Sequence, residues 1–236
     1  MHNNKFSAEE FKTGQILLFD KPLNWTSFQL VNKIRWLIRK SCHIKKIKVG
    51  HAGTLDPLAT GLLIICTGKF TKKIQELQGQ VKEYTGTITL GSTTPSFDLE
   101  TEIDASFPTD HISEKLLVET SKKFIGEIGQ TPPVFSALKK DGKRLYEYAR
   151  EGQEVEIQKR KVEISAFDID ASAFPKIYFR VVCSKGTYIR SLAHEFGMAL
   201  NSGAHLSELR RTAIGDFQVA KAFNVAAFEN LLPSQD

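Results

Sequence analysis

Cysteine is scarce in this chain of 236 residues. Cys42, Cys66 and Cys183 form an odd set, far apart and without a Cys-x-x-Cys spacing. That argues against a disulfide framework and against a structural zinc site. Long apolar runs are missing as well. The longest, Leu62–Cys66, is far too short to span a bilayer. Met1–Thr13 is polar, carries Glu9 and Glu10, and lacks the basic and apolar stretches of a secretory signal. The expectation is a cytoplasmic chain with no membrane partner. No Gly-x-Gly-x-x-Gly occurs, and Gly68-Lys69 with Thr71 lacks P-loop spacing. His194-Glu195 opens like a zinc-protease helix, but position 198 is Met rather than His. The six histidines do not cluster at ligand spacing. Nucleotide, nicotinamide and metal chemistry therefore find no support, and neither a cofactor nor a metal is expected. There is no internal repeat, low-complexity tract or obvious linker.

What is present suits a folded domain. Hydrophobic residues make up 41%, enough for a sizeable core, and the net charge is +5. A mild basic excess is compatible with a nucleic-acid partner without requiring one. Residues 15–19 read as a buried strand, followed by a turn at Asp20-Lys21-Pro22. Thr26 or Ser27 reads as the N-cap of a helix whose apolar face is Phe28, Val31, Ile34 and Leu37. The other face and the following loop are basic, from Lys33 to Lys48. That pattern fits either a solvated face or a phosphate-contacting surface. Residues 62–66 read as a short buried strand, 82–91 as a half-buried one, and 113–126 as a helix. Segments 155–158, 162–170 and 176–183 read as extended, 187–200 and 225–231 as helical. Strands and helices mix without regular alternation. The expected fold class is α+β, with a mixed, largely antiparallel sheet flanked by helices. Residues 1–13 are expected to be a flexible segment and 14–236 a single domain.

The most distinctive loop is Gly50 to Gly61. Asp56 stands before Pro57, which favours an extended backbone at Asp56. Gly53 and Gly61 allow tight bends on either side. The loop is short, stiff and presents one carboxylate. By local spacing alone, the commoner reading is an Asp that forms a turn.

The stretch Gly50-His51-Ala-Gly-Thr-Leu-Asp56-Pro-Leu-Ala-Thr-Gly61-Leu-Leu closely resembles the active-site motif of TruB-type tRNA pseudouridine synthases. Other blocks resemble the same family in the same order: Asp20-Lys21-Pro22 with Trp25-Thr26-Ser27, then Lys82-Glu83-Tyr84. Next come Ser136-Ala-Leu-Lys139, Leu145-Tyr-Glu-Tyr-Ala-Arg150, Ser184-Lys-Gly-Thr-Tyr188-Ile-Arg190 and Leu209-Arg-Arg211. The resemblance implies one pseudouridine-synthase catalytic domain over residues 14–236. It implies that Asp56 is the essential aspartate and nucleophile, and that His51 takes up space beside the extruded base. Tyr84 would stack on that base. Tyr188 would belong to the substrate site, and Arg190 would pair with the catalytic aspartate. Leu209 would line the pocket, and Lys21 would be a basic residue near the site. The implied substrate is uridine 55 in the T-loop of tRNA, handled without cofactor, metal or obligate protein partner, by a monomer. Many relatives carry a further RNA-binding domain after the Leu-Arg-Arg block. Here roughly 20 residues follow the last block, too few for a domain by size, so a short form is expected.

The residue types agree with that chemistry. Pseudouridine formation breaks the C1′–N1 bond, turns the uracil and joins C5 to C1′. A carboxylate can act as nucleophile if it stays ionised, and a neighbouring Arg favours the charged form. Asp56 could add to C6 of uracil or assist loss of uracil at C1′, where Tyr84 could take a sugar proton. Both routes fit the sequence. A glycoside hydrolase also attacks a glycosidic carbon, but it usually needs two carboxylates, and only one is well placed. A catalytically silent RNA-binding or RNA-folding protein would share the basic surfaces without needing Asp56.

Overall fold

The computed structural model describes residues 6–136, 138–153 and 155–233. Met1 to Lys5 of the expected flexible segment, and Ala137 of the Ser136–Lys139 block, lie outside the described residues. In chain order the helices are α1 (Ala8–Thr13), α2 (Ser27–Ser41), α3 (Ile74–Gly79), α4 (Glu114–Lys122), α5 (Leu145–Arg150), α6 (Ile189–Ala199) and α7 (Val225–Asn230). The strands are β1 (Ile16–Lys21), β2 (Val49–His51), β3 (Ala59–Thr67), β4 (Lys82–Leu90), β5 (Ser92–Thr93), β6 (Ala105–Ser106), β7 (Gly126–Gln130), β8 (Lys139–Lys140), β9 (Lys143–Arg144), β10 (Arg160–Ala173), β11 (Lys176–Cys183), β12 (Ala204–Ile214) and β13 (Phe217–Gln218). Residues 155–158, expected as extended, carry no regular element. The fold mixes helices with a large, mostly antiparallel sheet. Among the described residues no helix is long and apolar enough to cross a membrane.

The chain divides into two units, one running to Glu83 and resuming at Arg210, the other Tyr84–Leu209. In the first, β3 pairs antiparallel with both β1 and β2, placing Lys21 opposite Gly61 and His51 opposite Ile65. The unbroken run Leu62–Cys66 is explained by burial on both faces. Leu63 and Ile65 join a core with α2, whereas Leu62, Ile64 and Cys66 join one with Leu77 and Ile214. A capping box, Thr26 with Gln29, starts α2. Its buried stripe is Leu30, Val31, Ile34, Leu37 and Ile38. Phe28, expected on that face, is 65% exposed. Steps of three residues drift around a helix that turns about 100° per residue, so Phe28 sits roughly opposite Leu37. Within the expected flexible segment, α1 is fastened by a capping box of Ser7 with Glu10, and Phe11 is fully buried.

In the second unit the strand order is β12-β4-β11-β10-β7. Phe167 is its aromatic hub, with Phe124, Phe179 and Phe196 edge-on at 5.5–6.3 Å. These rings pack α6 over the long β10–β11 hairpin.

Phe228 of α7 touches the rings of Phe6, Phe11, Phe19 and Phe223 at 5.1–6.2 Å and is fully buried. Phe228→Ala should lower stability by about 3–5 kcal/mol. Urea unfolding should show an earlier midpoint with an unchanged slope. A midpoint equal to that of the native chain would show that α7 contributes nothing to this core.

Candidate active site

Asp56 sits in the loop from β2 to β3, partly exposed on a backbone held from several directions. Leu55, the residue before it, is buried, and the Ser27 hydroxyl bridges its backbone: Leu55 N donates to Ser27 Oγ at 2.8 Å, and Ser27 Oγ donates to Leu55 O at 3.1 Å. The Pro57 carbonyl accepts from Asn24 N at 2.9 Å and from Lys21 Nζ at 3.4 Å. The Asp56 carbonyl accepts from Ala59 N at 3.1 Å. Arg211 closes the other side, its Nε donating to Leu62 O at 2.8 Å, and its two terminal nitrogens to Gly53 O at 3.1 Å and Thr54 O at 3.4 Å. Gly61 permits this approach. Its φ is +102°, and a Cβ there would stand 2.2 Å from the Arg211 carbonyl oxygen.

Lys21 is completely buried. Besides Pro57 O, its ammonium donates to Pro22 O at 2.9 Å and Trp25 O at 2.6 Å. Burial pushes its pKa down to about 8; the charge of Asp56 opposes that shift and the charge of Arg211 adds to it. Lys21 and Asp56 therefore lie within electrostatic reach of each other. His51 ends β2, half-buried. Burial lowers its pKa, against a hydrogen bond with Gly53 and with help from Arg211, so its ring is neutral at neutral pH.

In the second unit four more of the singled-out residues are found. Tyr84 is buried near the start of β4, and Leu209 is half-buried on β12. Tyr188 is the cap residue of α6. Its backbone N donates to Gln130 Oε1 at 2.8 Å, and its carbonyl accepts from Gln130 Nε2 at 3.1 Å. Arg190 lies in the first turn of α6, buried, where the helix dipole disfavours a cation. Its terminal nitrogens donate to Ser96 O at 3.2 Å and Phe135 O at 2.9 Å, and its Nε lies 3.6 Å from Asp98 Oδ2. A buried carboxylate thus answers this buried guanidinium.

The family profile described as "TruB family pseudouridylate synthase (N terminal domain)" matches residues 39–189, and one described as "tRNA pseudouridylate synthase B C-terminal domain" matches 190–235. A protein of Flavobacterium johnsoniae named tRNA pseudouridine synthase B is 64% identical over 227 residues, covering 96% of this chain and 99% of that protein. The chain belongs to the TruB family of pseudouridylate synthases. A relative of the same name from Phocaeicola vulgatus is 56% identical, covering 96% of both chains. Among solved structures, a Cbf5-Nop10-Gar1 complex contains a chain 30% identical with a TM-score of 0.71. An H/ACA RNP bound to a substrate RNA containing 2′-deoxyuridine contains one 26% identical with a TM-score of 0.66. This chain spans 57% and 58% of the lengths of those two.

Several residues that support the singled-out side chains within each unit were not assigned roles from sequence. Arg211 was visible only as part of the Leu-Arg-Arg block, and Ser27 only as an alternative cap. Asp98 and Gln130 carried no local signal. Of the residues that were singled out, the first unit brings together Lys21, His51 and Asp56, and the second holds Tyr84, Tyr188, Arg190 and Leu209.

Lys21 makes a pH prediction. Between about pH 8 and the ordinary lysine range the folded chain has released a proton that the unfolded chain still holds. Stability therefore rises with pH across that window. The native chain should gain stability relative to Lys21→Met as pH climbs through it, measured by urea unfolding at several pH values. A difference that stays flat would show that Lys21 has an ordinary pKa.

Proposed function

We propose that this chain isomerises uridine to pseudouridine in tRNA, at position 55 of the T-loop, with Asp56 as the nucleophile. The observation that carries the reading is the Asp56 loop: a family motif whose backbone is tied down by Ser27, Asn24, Lys21 and Arg211, so that one carboxylate is offered on a rigid support. Positioning of this kind supplies much of an enzyme's rate advantage, and a shift of about 1 Å can cost on the order of a hundredfold.

The reaction breaks C1′–N1 and forms C1′–C5; the C5 proton passes to solvent and the freed N1 takes up a proton, so substrate and product are isomers. The target uridine must leave its stack, at a cost of a few kcal/mol. Stacking on Tyr84 offsets part of this, since a base on an aromatic ring is worth roughly 1–3 kcal/mol. The neutral ring of His51 occupies space beside the extruded base without adding charge. By family resemblance Arg190 is the partner of the nucleophilic aspartate, and Tyr188 and Leu209 belong to the substrate site. One carboxylate serves either route, addition at C6 or assistance at C1′.

Unmodified tRNA tritiated at uracil C5 should lose its label to water with the native chain. Asp56→Asn should abolish release while keeping most tRNA binding. Continued release by that variant would remove Asp56 from the nucleophile's role, and binding without release by the native chain would favour a silent RNA-binding protein.

Arg190→Ala separates two roles. Acting on the carboxylate, Arg190 should affect turnover far more than tRNA affinity. Equal losses in single-turnover rate and in Kd would identify a phosphate contact instead.

A further inference from the structure

Between Asp20 and Asp56 the chain contains no carboxylate, yet it holds eight Lys or Arg, against a net charge of +5 for the whole chain. Two of the eight are used inside the fold. Lys21 is buried under the Asp56 loop, and Arg35 donates to Asn32 Oδ1 at 2.6 Å and to Val49 O at 2.9 Å. The other six, Lys33, Arg39, Lys40, Lys45, Lys46 and Lys48, lie on the outer side of α2 and the segment after it, all exposed except the half-buried Lys33. An acid-free cluster repels itself in the free protein and gains when phosphates replace its counterions.

Two large aromatic rings stand on the same outer side. Phe28 is 65% exposed and Trp36 is 50% exposed. The Lys33 and Lys40 ammoniums lie 4.9 and 5.0 Å from the Trp36 ring centroid. Cation–π contact favours an exposed Trp beside these ammoniums, but it gives no account of Phe28. Flat rings interleaved with cations match a nucleic-acid strand, whose bases stack while its phosphates pair.

The placement ties this surface to the reaction. Ser27, the first residue of α2, is bonded to Leu55, next to Asp56. From that anchor α2 runs 15 residues. At about 1.5 Å per residue this is roughly 22 Å, long enough to lie against several successive phosphates.

We propose that the outer face of α2, with residues 42–48, is a second RNA-contact surface. The sugar–phosphate backbone of the tRNA, outside the modified loop, lies along the six cations. Trp36 and Phe28 stack on unpaired bases of the same molecule. This inference rests on the tRNA-substrate reading above and adds where that substrate is gripped away from the reacting uridine.

The test uses the whole chain and an unmodified tRNA transcript. A Lys33→Gln/Arg39→Gln/Lys40→Gln variant, its folding checked by circular dichroism, should bind at least tenfold more weakly at low salt. Its plot of log affinity against log salt should be shallower by about 2–3, since each cation contributes roughly 0.7–0.9. Trp36→Leu should weaken binding several-fold without changing that slope. Trp25 and Trp36 are the two tryptophans, so Trp25→Phe leaves Trp36 as sole reporter. tRNA should quench its emission, whereas heparin, a polyanion without bases, should not. Native affinity and salt slope in the triple variant would overturn the surface. Equal quenching by heparin would overturn the stacking contacts and point to an acidic partner. Tritium release by the native chain in the same experiment separates the two failures: release with unaffected variants sinks this surface alone, and neither release nor binding sinks the tRNA reading and the surface with it.

Discussion

The geometry at Asp56 depends on how two buried cations satisfy a loop that has no strand to pair with. Residues 53–57 leave β2 and have not yet joined β3, so their carbonyls lack ladder partners. A buried polar group left unpaired costs about 1–3 kcal/mol, and a charged donor makes a stronger bond than a neutral one. Arg211 takes the carbonyls of Gly53 and Thr54, and Lys21 shares that of Pro57 with Asn24. The arrangement has its own penalty, visible in the lowered pKa of Lys21. Asp56 is therefore carried on a loop whose shape is set by side chains from β1, α2 and β12.

The Tyr84–Leu209 unit uses the same device. Arg190 joins the carbonyls of Ser96 and Phe135, from two different loops, and faces Asp98. A guanidinium is suited to this work because its planar fork reaches several acceptors at once. Gln130 serves similarly through its amide, which holds both backbone groups of Tyr188. Residues given roles in binding or catalysis are thus supported by polar side chains that touch backbone. Rigidity of this kind suits chemistry in which a flipped base must meet a fixed carboxylate.

Much of this was legible in the amino-acid sequence. The unbroken apolar run of β3, the Thr26 cap of α2 and the spacing in α6 all describe local geometry, which neighbouring residues determine. The ordered family blocks marked the Asp56 loop, and relatives at 64% and 56% identity carry the pseudouridine synthase B name. What escaped was long-range. Asp98 and Arg190 stand 92 positions apart, and Arg211 meets Gly53 from 158 positions away. No periodicity reports such a partner. Phe28 escaped for a different reason, because three-residue steps were read as one face of a helix that does not turn by a whole number of residues.

The sequence by itself determined most of the local elements, the lone carboxylate before a proline, and the acid-free basic stretch between Asp20 and Asp56. Those are properties of composition and short-range spacing. Tertiary structure alone decided which cations are spent inside the fold and which face water. Lys21 and Lys33 look alike in a string of letters. One is enclosed by carbonyls under the Asp56 loop and the other stands beside the exposed ring of Trp36. The physical reason is that a side chain's solvation depends on everything packed around it, and only the folded chain brings those neighbours together.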